Sequence, residues 1–305
     1  MGYISKSTLD ALRVQFEAKF QEAFQQTSVW ASELATEVPS DGESNLYGWV
    51  DNSVEIAEWV GERDMSVLQE SDYRLINEHF QGSLKLNRDK IADDKLGIFT
   101  SITVPMFAQR VAKFDDSKLA NILLNNATAY DGVPFFDPTH SNSVATALDA
   151  NGVAFSVARA QLMSFTDPGG TPRYVGDKFT LVCGPDLERT ARLCVEAEWG
   201  SHAGTAGTAG IQHGTNVQKG MASVVVVPEL AANPNRWFLF ATGLPVKALI
   251  MQKRQQPEFQ SIESKESGGR PFTHNENVYG VDFRSQYGVS FPWLGYASDP
   301  DGAMT

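Results

Sequence analysis

The stretch YGVDFRSQYGVSFPWLGYAS, residues 279 to 298, alternates apolar and polar side chains over its first thirteen positions. Tyr279, Val281, Phe283, Tyr287, Val289 and Phe291 share one phase of a two-residue period, while Asp282, Arg284, Gln286 and Ser290 share the other. That phase pattern is a strand with one face toward a core. At about 3.3 Å per residue it runs about 40 Å, far beyond the usual strand of about 5 to 6 residues. The preceding extended stretch PVKALIMQKRQQPEFQSIES, residues 245 to 264, offers a partner of matching length. The two are expected to pair antiparallel across GGRPFTHNEN, so the question becomes what a chain of this size does with so long a ribbon.

Length and composition narrow the answer. A chain of 305 residues exceeds the usual size of one core, so two subdomains or one elongated molecule are expected. An apolar content of 42% with 20% charged residues describes an ordinary folded protein. The net charge of -12 argues against a broad basic surface that grips nucleic acid, and suits a wall to which DNA does not stick. Cys183 and Cys194, the only cysteines, lack the number for a disulfide scaffold and the spacing of a zinc site, and read as reduced, partly buried thiols of a cytoplasmic protein. The opening MGYISKSTLD has neither a signal peptide nor, with Lys6 in the critical position, a myristoylation pattern. The longest apolar runs, VVVV at 224 to 227 and WFLFA at 237 to 241, are strand-sized, and no membrane span is expected.

Leu9, Leu12, Phe16, Phe20, Ala23 and Phe24 recur at helical spacing behind Ser7 or Thr8 as caps, which predicts a helix over about 8 to 26. ELATEVPSDGESNLYGW then reads as an extended arm. From Val54 to Asp94 the charge is dense and mixed, with Met65, Val67, Tyr73, Leu75, Leu84 and Leu86 on short alternating stretches around a QESD turn. A two-stranded ribbon of this kind is marginal alone and must lean on something. Ile102, Met106, Val111, Leu119, Ile122 and Leu123 predict a long helix over about 100 to 126, kinked at DDS, with Pro105 near its first turn. YDGVPFFDPTHSN is turn and hairpin material, and NGVAFSVARAQLMSF a short helix. KFTLVC is a buried strand, followed by Gly184, Pro185 and a helix that Asp186 is placed to cap. ASVVVVPEL and RWFLFAT are expected to pair with each other, and GSHAGTAGTAGIQHG to form a mobile loop.

The motifs of phosphate, dinucleotide, serine-hydrolase and zinc-protease chemistry do not occur. The best metal candidate joins Asp131 to Asp137 and His140 of DPTH, against the plainer reading of a capped turn with hydrogen-bonded polar groups. His202 and His213 flank the glycine-rich GTAGTAG, which lacks the lysine and hydroxyl of a phosphate loop. Trp49, Trp59, Tyr73, Trp237, Trp293 and Tyr296 mark either an interface or a core.

YGWVDNSVEIAEWVGERD, FQGSLKLNRDKIADDKLGIF, YDGVPFFDPTHSN, NRWFLFATGLPVKALIMQKRQQPEF and the closing stretch, in that order and spacing, make the chain resemble the major head subunits of Mu-like tailed phages. Those proteins have the Hong Kong 97 capsid fold. The resemblance implies an α+β class with an N-terminal arm over 1–52, an extended loop over 53–90 and a peripheral domain over 91–183 built on a spine helix at about 100 to 126. An axial domain follows over 184–240, a second part of the peripheral domain with the long strands over 241–292, and a C-terminal segment of the axial domain over 293–305. The glycine loop would sit near the centre of a ring of five or six subunits.

The implied protein is a major capsid protein, not an enzyme and without cofactor or metal, that assembles into pentamers and hexamers of an icosahedral head around double-stranded DNA. Its implied partners are further copies of itself, a scaffolding protein and maturation protease during assembly, a portal protein and a decoration protein; its places are the virion and, during assembly, the host cytoplasm. Trp59, Arg63, Asp64, Tyr73, Arg74, Arg88 and Trp293 are the candidate intersubunit contacts. Because the chain opens directly with a helix, no built-in scaffolding domain is expected. Removing residues 64 to 86 is expected to leave a soluble protein that cannot close shells. The rival readings are an encapsulin-like nanocompartment shell of the same fold and a metal-dependent hydrolase using Asp131, Asp137 and His140.

Overall fold

The computed structural model describes residues 6–50, 70–94, 97–167, 170–203, 211–262 and 270–302. In chain order the helices are α1 (Lys6–Gln26), α2 (Ala31–Leu34), α3 (Arg88–Ala92), α4 (Val104–Ala112), α5 (Phe114–Asn125), α6 (Val153–Ser164), α7 (Glu188–Val195) and α8 (Arg270–Thr273). The strands are β1 (Ala35–Pro39), β2 (Ser44–Val50), β3 (Glu70–Ile76), β4 (Glu78–Asn87), β5 (Ser143–Val144), β6 (Phe179–Cys183), β7 (Trp199–Ala203), β8 (Ile211–Thr215), β9 (Ser223–Val226), β10 (Trp237–Ala241), β11 (Leu249–Ile262), β12 (Glu276–Val289) and β13 (Gly295–Ser298).

The two long strands pair as their sequences require. β11 and β12 run antiparallel from Leu249↔Val289 to Ile262↔Val278, with irregular register between Lys253 and Glu258. β12 alternates as read: Tyr279, Val281, Phe283, Ser285, Tyr287 and Val289 are buried and the residues between them lie half open to solvent as far as Gln286. Beyond that the pattern fails. Ser290 is fully buried because its hydroxyl donates to the Lys247 carbonyl at 2.5 Å, so hydrogen bonding stands in for exposure. β4 pairs with the free edge of β12, and β1 lies parallel along β11, giving the sheet order β1-β11-β12-β4. The stretch ELATEVPSDG is therefore a helical turn and a strand of the main sheet, and not a loose arm.

One face of this sheet is covered by α1 and α4, whose Phe16, Phe20, Val104 and Ala108 pack with Leu86, Tyr279, Val281 and Phe283. Phe16 meets Tyr279 edge to face at 5.0 Å, and Phe20 lies 5.3 Å from Phe259. The predicted long helix is present in two pieces. A π-helical turn at Phe99–Thr103 leads into α4, in whose first turn Pro105 has no N–H to offer the preceding turn. The break to α5 falls at Lys113, ahead of the DDS sequence. It separates two cores: α4 belongs to the cluster under the long sheet, α5 to the larger cluster around the second sheet.

That second sheet has five strands in the order β5-β13-β10-β6-β9. FTLVC and WFLFA are buried along their whole lengths, as continuous apolar runs demand. β9 and β10 are not partners: both flank β6, β9 parallel and β10 antiparallel. Trp237 and Tyr296 stand in this core with ring centres 6.1 Å apart. Burial pushes the Cys183 and Cys194 thiols up to about 12, so both stay protonated and apolar. Asp186 does not cap α7; it lies within the short 3-10 turn Pro185–Leu187, one residue ahead of the N-cap position, which Leu187 holds.

Two ribbons leave these sheets. β2 and β3 pair from Ser44↔Ile76 to Val50↔Glu70, so Glu70, Ser71 and Asp72 of the QESD sequence are strand and not turn. β7 and β8 pair from Trp199↔Thr215 to Ala203↔Ile211, so the flanks of the glycine-rich segment are a hairpin where a mobile loop was expected. Met65, Val67 and residues 204–210 lie outside the described residues. The deletion of 64 to 86 must also be revised, because it would remove nine of the ten residues of β4, Glu78–Asn87, from the edge of the main sheet and disrupt the fold itself.

Candidate intersubunit surfaces

The β2–β3 ribbon leans on the chain's own long sheet at its root. The Tyr47 hydroxyl donates to Gln252 Oε1 at 2.8 Å, and Gln252 Nε2 donates to Asn77 Oδ1 at 2.7 Å and to the Leu75 carbonyl at 3.3 Å. The Val289 amide donates to the Tyr73 hydroxyl at 3.4 Å, and Gln286 Nε2 to the Ile76 carbonyl at 2.8 Å. Gly288 makes this approach possible, since a Cβ there would sit 2.9 Å from both the Leu75 side chain and the Tyr73 hydroxyl. The opposite face of the ribbon carries Leu46 and Ile76, both exposed.

Of the sequence-derived contact candidates, Trp59, Arg63 and Asp64 lie outside the described residues. Tyr73 is half-buried at the ribbon's root, and burial raises its hydroxyl above the usual range. Arg74 is exposed beside it, donating from Nε to Ser44 Oγ at 2.9 Å. Arg88 opens α3, half-buried, with Nη1 inside the protein. Trp293 is half-buried far along the chain, stacked on Phe291 at 5.4 Å with the Arg173 guanidinium 5.1 Å from its ring centre. Tyr73 and Arg74 thus share the ribbon but point to opposite faces, Tyr73 toward the long sheet and Arg74 toward solvent.

Sequence reasoning missed three other surfaces. On α6, Val153 and Val157 are 65% and 58% exposed, and Val217 is 68% exposed. Gln218 ties the two segments together by donating to the Gly152 carbonyl at 3.1 Å and to Ser156 Oγ at 2.7 Å, which holds the segment of Val217 against the start of α6. Ile98, Ile102 and Met106, four residues apart, line an exposed stripe along the turn into α4. It borders a groove of about 1010 Å³ between α1 and the α4–α5 helix, lined by Lys19, Ala23, Pro105, Met106, Arg110 and Lys113 among others. Trp199, 66% exposed on the β7–β8 hairpin, is a third. The i, i+4 valine spacing of α6 was readable, but its other sides are apolar too, and nothing in the pattern told the buried face from the bare one.

The metal candidate resolves into a capped turn. Asp137 Oδ1 accepts from the Thr139 amide at 2.8 Å and from its hydroxyl at 2.7 Å, which holds the Asp137 carboxyl below its usual range. His140 Nε2 lies 2.6 Å from Asp131 Oδ2, and its Nδ1 3.1 Å from the Phe135 carbonyl. Among the described residues no group of three His, Cys, Asp or Glu is gathered to hold a metal ion. His202 and His213 occupy facing strands, opposite Gln212 and Ser201.

Two buried ionic junctions join the parts. Lys253 Nζ and the Tyr287 hydroxyl both donate to Asp115 Oδ1 at 2.5 Å, fastening α5 to the irregular stretch of β11. Asp116, the next residue, accepts from the Ala31 amide at 2.9 Å and so holds the first turn of α2; burial raises its carboxyl to about 6, with Lys113 opposing the shift and Glu229 adding to it.

The mixed α+β fold is shared with phage capsid proteins. The procapsid chain of bacteriophage JBD30 superposes with a TM-score of 0.57 at 22% identity, over 97% of this chain and 76% of that one. The family described as "Mu-like prophage major head subunit gpT" matches residues 9–156 and 212–302. The major capsid protein of Escherichia phage Mu is 28% identical over 176 residues, 57% of this chain and 56% of that protein. The Mu-like prophage FluMu major head subunit of Haemophilus influenzae is 27% identical over 141 residues, 46% of each. The chain matches about half the length of these curated relatives.

Proposed function

Because the chain belongs to the Mu-like prophage major head subunit family, we propose that it is the major capsid protein of a tailed phage, assembling with further copies of itself into the pentamers and hexamers of an icosahedral head around double-stranded DNA. The family match over residues 9–156 and 212–302 carries this reading. The architecture supports it. A long two-sided sheet with one face covered, ribbons reaching away from two cores and apolar patches left bare suit a flat tile whose edges are completed by adjoining tiles. Each contact is worth about 25 cal/mol per Å² of apolar surface removed from water, and repetition around a closed shell makes weak contacts collectively strong.

Residues 1–52 then serve as the N-terminal arm and 53–90 as the extended loop rooted in β3 and β4. The peripheral domain takes 91–183 and 241–292, with α4–α5 as its spine, and the axial domain takes 184–240 with 293–305. Tyr73, Arg74 and Trp293, with Trp59, Arg63 and Asp64, serve as contacts between subunits, joined by Val153, Val157 and Val217. The role is structural and not enzymatic. Scaffolding, protease and portal proteins act with it during assembly in the host cytoplasm, and a decoration protein covers the finished shell. Expression with those assembly partners, followed by electron microscopy of the purified protein, is expected to give closed icosahedral particles. Only monomers at high concentration would overturn the proposal, and shells filled with host enzymes in the absence of other phage proteins would favour the nanocompartment reading.

A further inference from the structure

Asn277 is fully buried, yet among the described residues neither its Oδ1 nor its Nδ2 has a hydrogen-bond partner. It stands on the core face of β12, opposite Leu86 and two residues from Tyr279, against which Phe16 of α1 packs. Arg88 belongs to the same corner. Its amide donates to the Asn275 carbonyl at 3.0 Å, continuing the β4–β12 ladder by one step, and its Nη1 is likewise buried without a partner. Ladder register thus sets Arg88 and Asn277 at the same end of β4–β12, with two buried donors and one buried acceptor that have no partner among the described residues, and Leu86 and Ile91 belong to the apolar cluster there.

Buried polar groups in folded proteins are almost always bonded, and an unpaired buried amide is costly. The combination of groups selects the missing ligand. A cation would satisfy Asn277 Oδ1 and be repelled by the guanidinium. An anion would satisfy Arg88 and Asn277 Nδ2 and face the amide oxygen with like charge. A molecule that both accepts and donates fits all three, and buried water does so with two to four partners. We propose that the α3 end of the β4–β12 ladder is an internal water site, in which water accepts from Arg88 Nη1 and Asn277 Nδ2 and donates to Asn277 Oδ1. Arg88, which the sequence marks as an intersubunit contact, is on this account an internal anchor that ties β4 to β12 through water.

The inference does not depend on the proposed function and is tested on the full-length protein, assembled or not. A map fine enough to resolve other buried waters is expected to show a peak within about 3.2 Å of both Asn277 and Arg88 Nη1. Apparent melting temperatures of Asn277→Leu, Arg88→Met and the double variant supply a second readout. Each single variant is expected to melt about 2–4 °C lower, and the double no lower than the worse single, because either change removes the same bridge. An empty corner in such a map, an increase in melting temperature for Asn277→Leu, or additive losses in the double variant would overturn the proposal. A peak too large for water, such as a buffer alcohol, would overturn it as well.

Discussion

The two sheets of this chain are built from the same kinds of residue and solve opposite problems. In the five-stranded sheet, β6 and β10 are buried along their whole lengths, wrapped by α5, α6 and α7, and joined to a cluster that runs from Ala31 to Ala297. In the four-stranded sheet, α1 and α4 cover one face, while the other presents His79, Gln81, Lys85, Glu258 and Asp282 toward solvent. The first is a closed domain core, with bare apolar surface at the outer valines of α6. The second is a plate, finished on one side and extended by ribbons. The difference shows where the chain stores its own stability and where it keeps surface for neighbours.

That contrast predicts the size of mutational effects. Phe238→Ala, at a fully buried position of β10, should destabilise by about 3–5 kcal/mol in denaturant unfolding, whereas Phe259→Ala, half-buried on β11, should cost less than half as much. Equal losses would erase the distinction between core and plate. Asp115→Ala cuts the junction between them and leaves the Lys253 ammonium, only 10% exposed, without its partner; a loss of about 2–3 kcal/mol is expected. A loss below about 0.5 kcal/mol would mean that α5 and β11 are held by packing alone.

Asp116 sharpens the comparison through pH. Its carboxyl is raised from 3.8 to about 6, so the folded protein binds this proton more tightly than the unfolded chain does. The sign follows: below pH 3.8 the group is protonated in both states and imposes no penalty, and stability falls as pH rises from there through about 6. Asp116→Asn keeps an oxygen for the Ala31 amide and removes the buried charge. It should stabilise by about 1–2 kcal/mol at pH 7.5, with the gain vanishing near pH 4. A variant less stable than the parent at pH 7.5 would show that the charge itself holds α2. The smallest effect on folding belongs to the bare patch: Val157→Lys should change stability by less than about 0.5 kcal/mol while abolishing closed particles. Normal particles from that variant would remove the patch from the assembly surface.

Legibility followed the same division. β12 and its pairing with β11 could be read because a plate covered on one side imposes alternation, residue by residue, from Tyr279 to Tyr287. The strands of the closed core could be recognised but not ordered. WFLFA and VVVV are apolar on both faces, so nothing in them distinguishes a neighbour from a next-nearest neighbour, and the parallel β6–β9 pair depends on a crossover through α7. QESD was read as a turn because charge is usually excluded from strands, but a two-stranded ribbon has no buried centre to exclude it. Of the candidate contacts, Tyr73 and Arg74 fall together on that ribbon. Val217 escaped notice because only the Gln218 hydrogen bonds bring its segment against α6.

Hydrogen exchange, compared between the unassembled subunit and closed shells, tests the division between core and plate most directly. Amides of β6 and β10 should be strongly protected in both states, while those of the outer ribbon, 48–50 and 70–72, should exchange quickly in the free subunit and become protected only in the shell. Equal protection of the ribbon in both states would contradict the account.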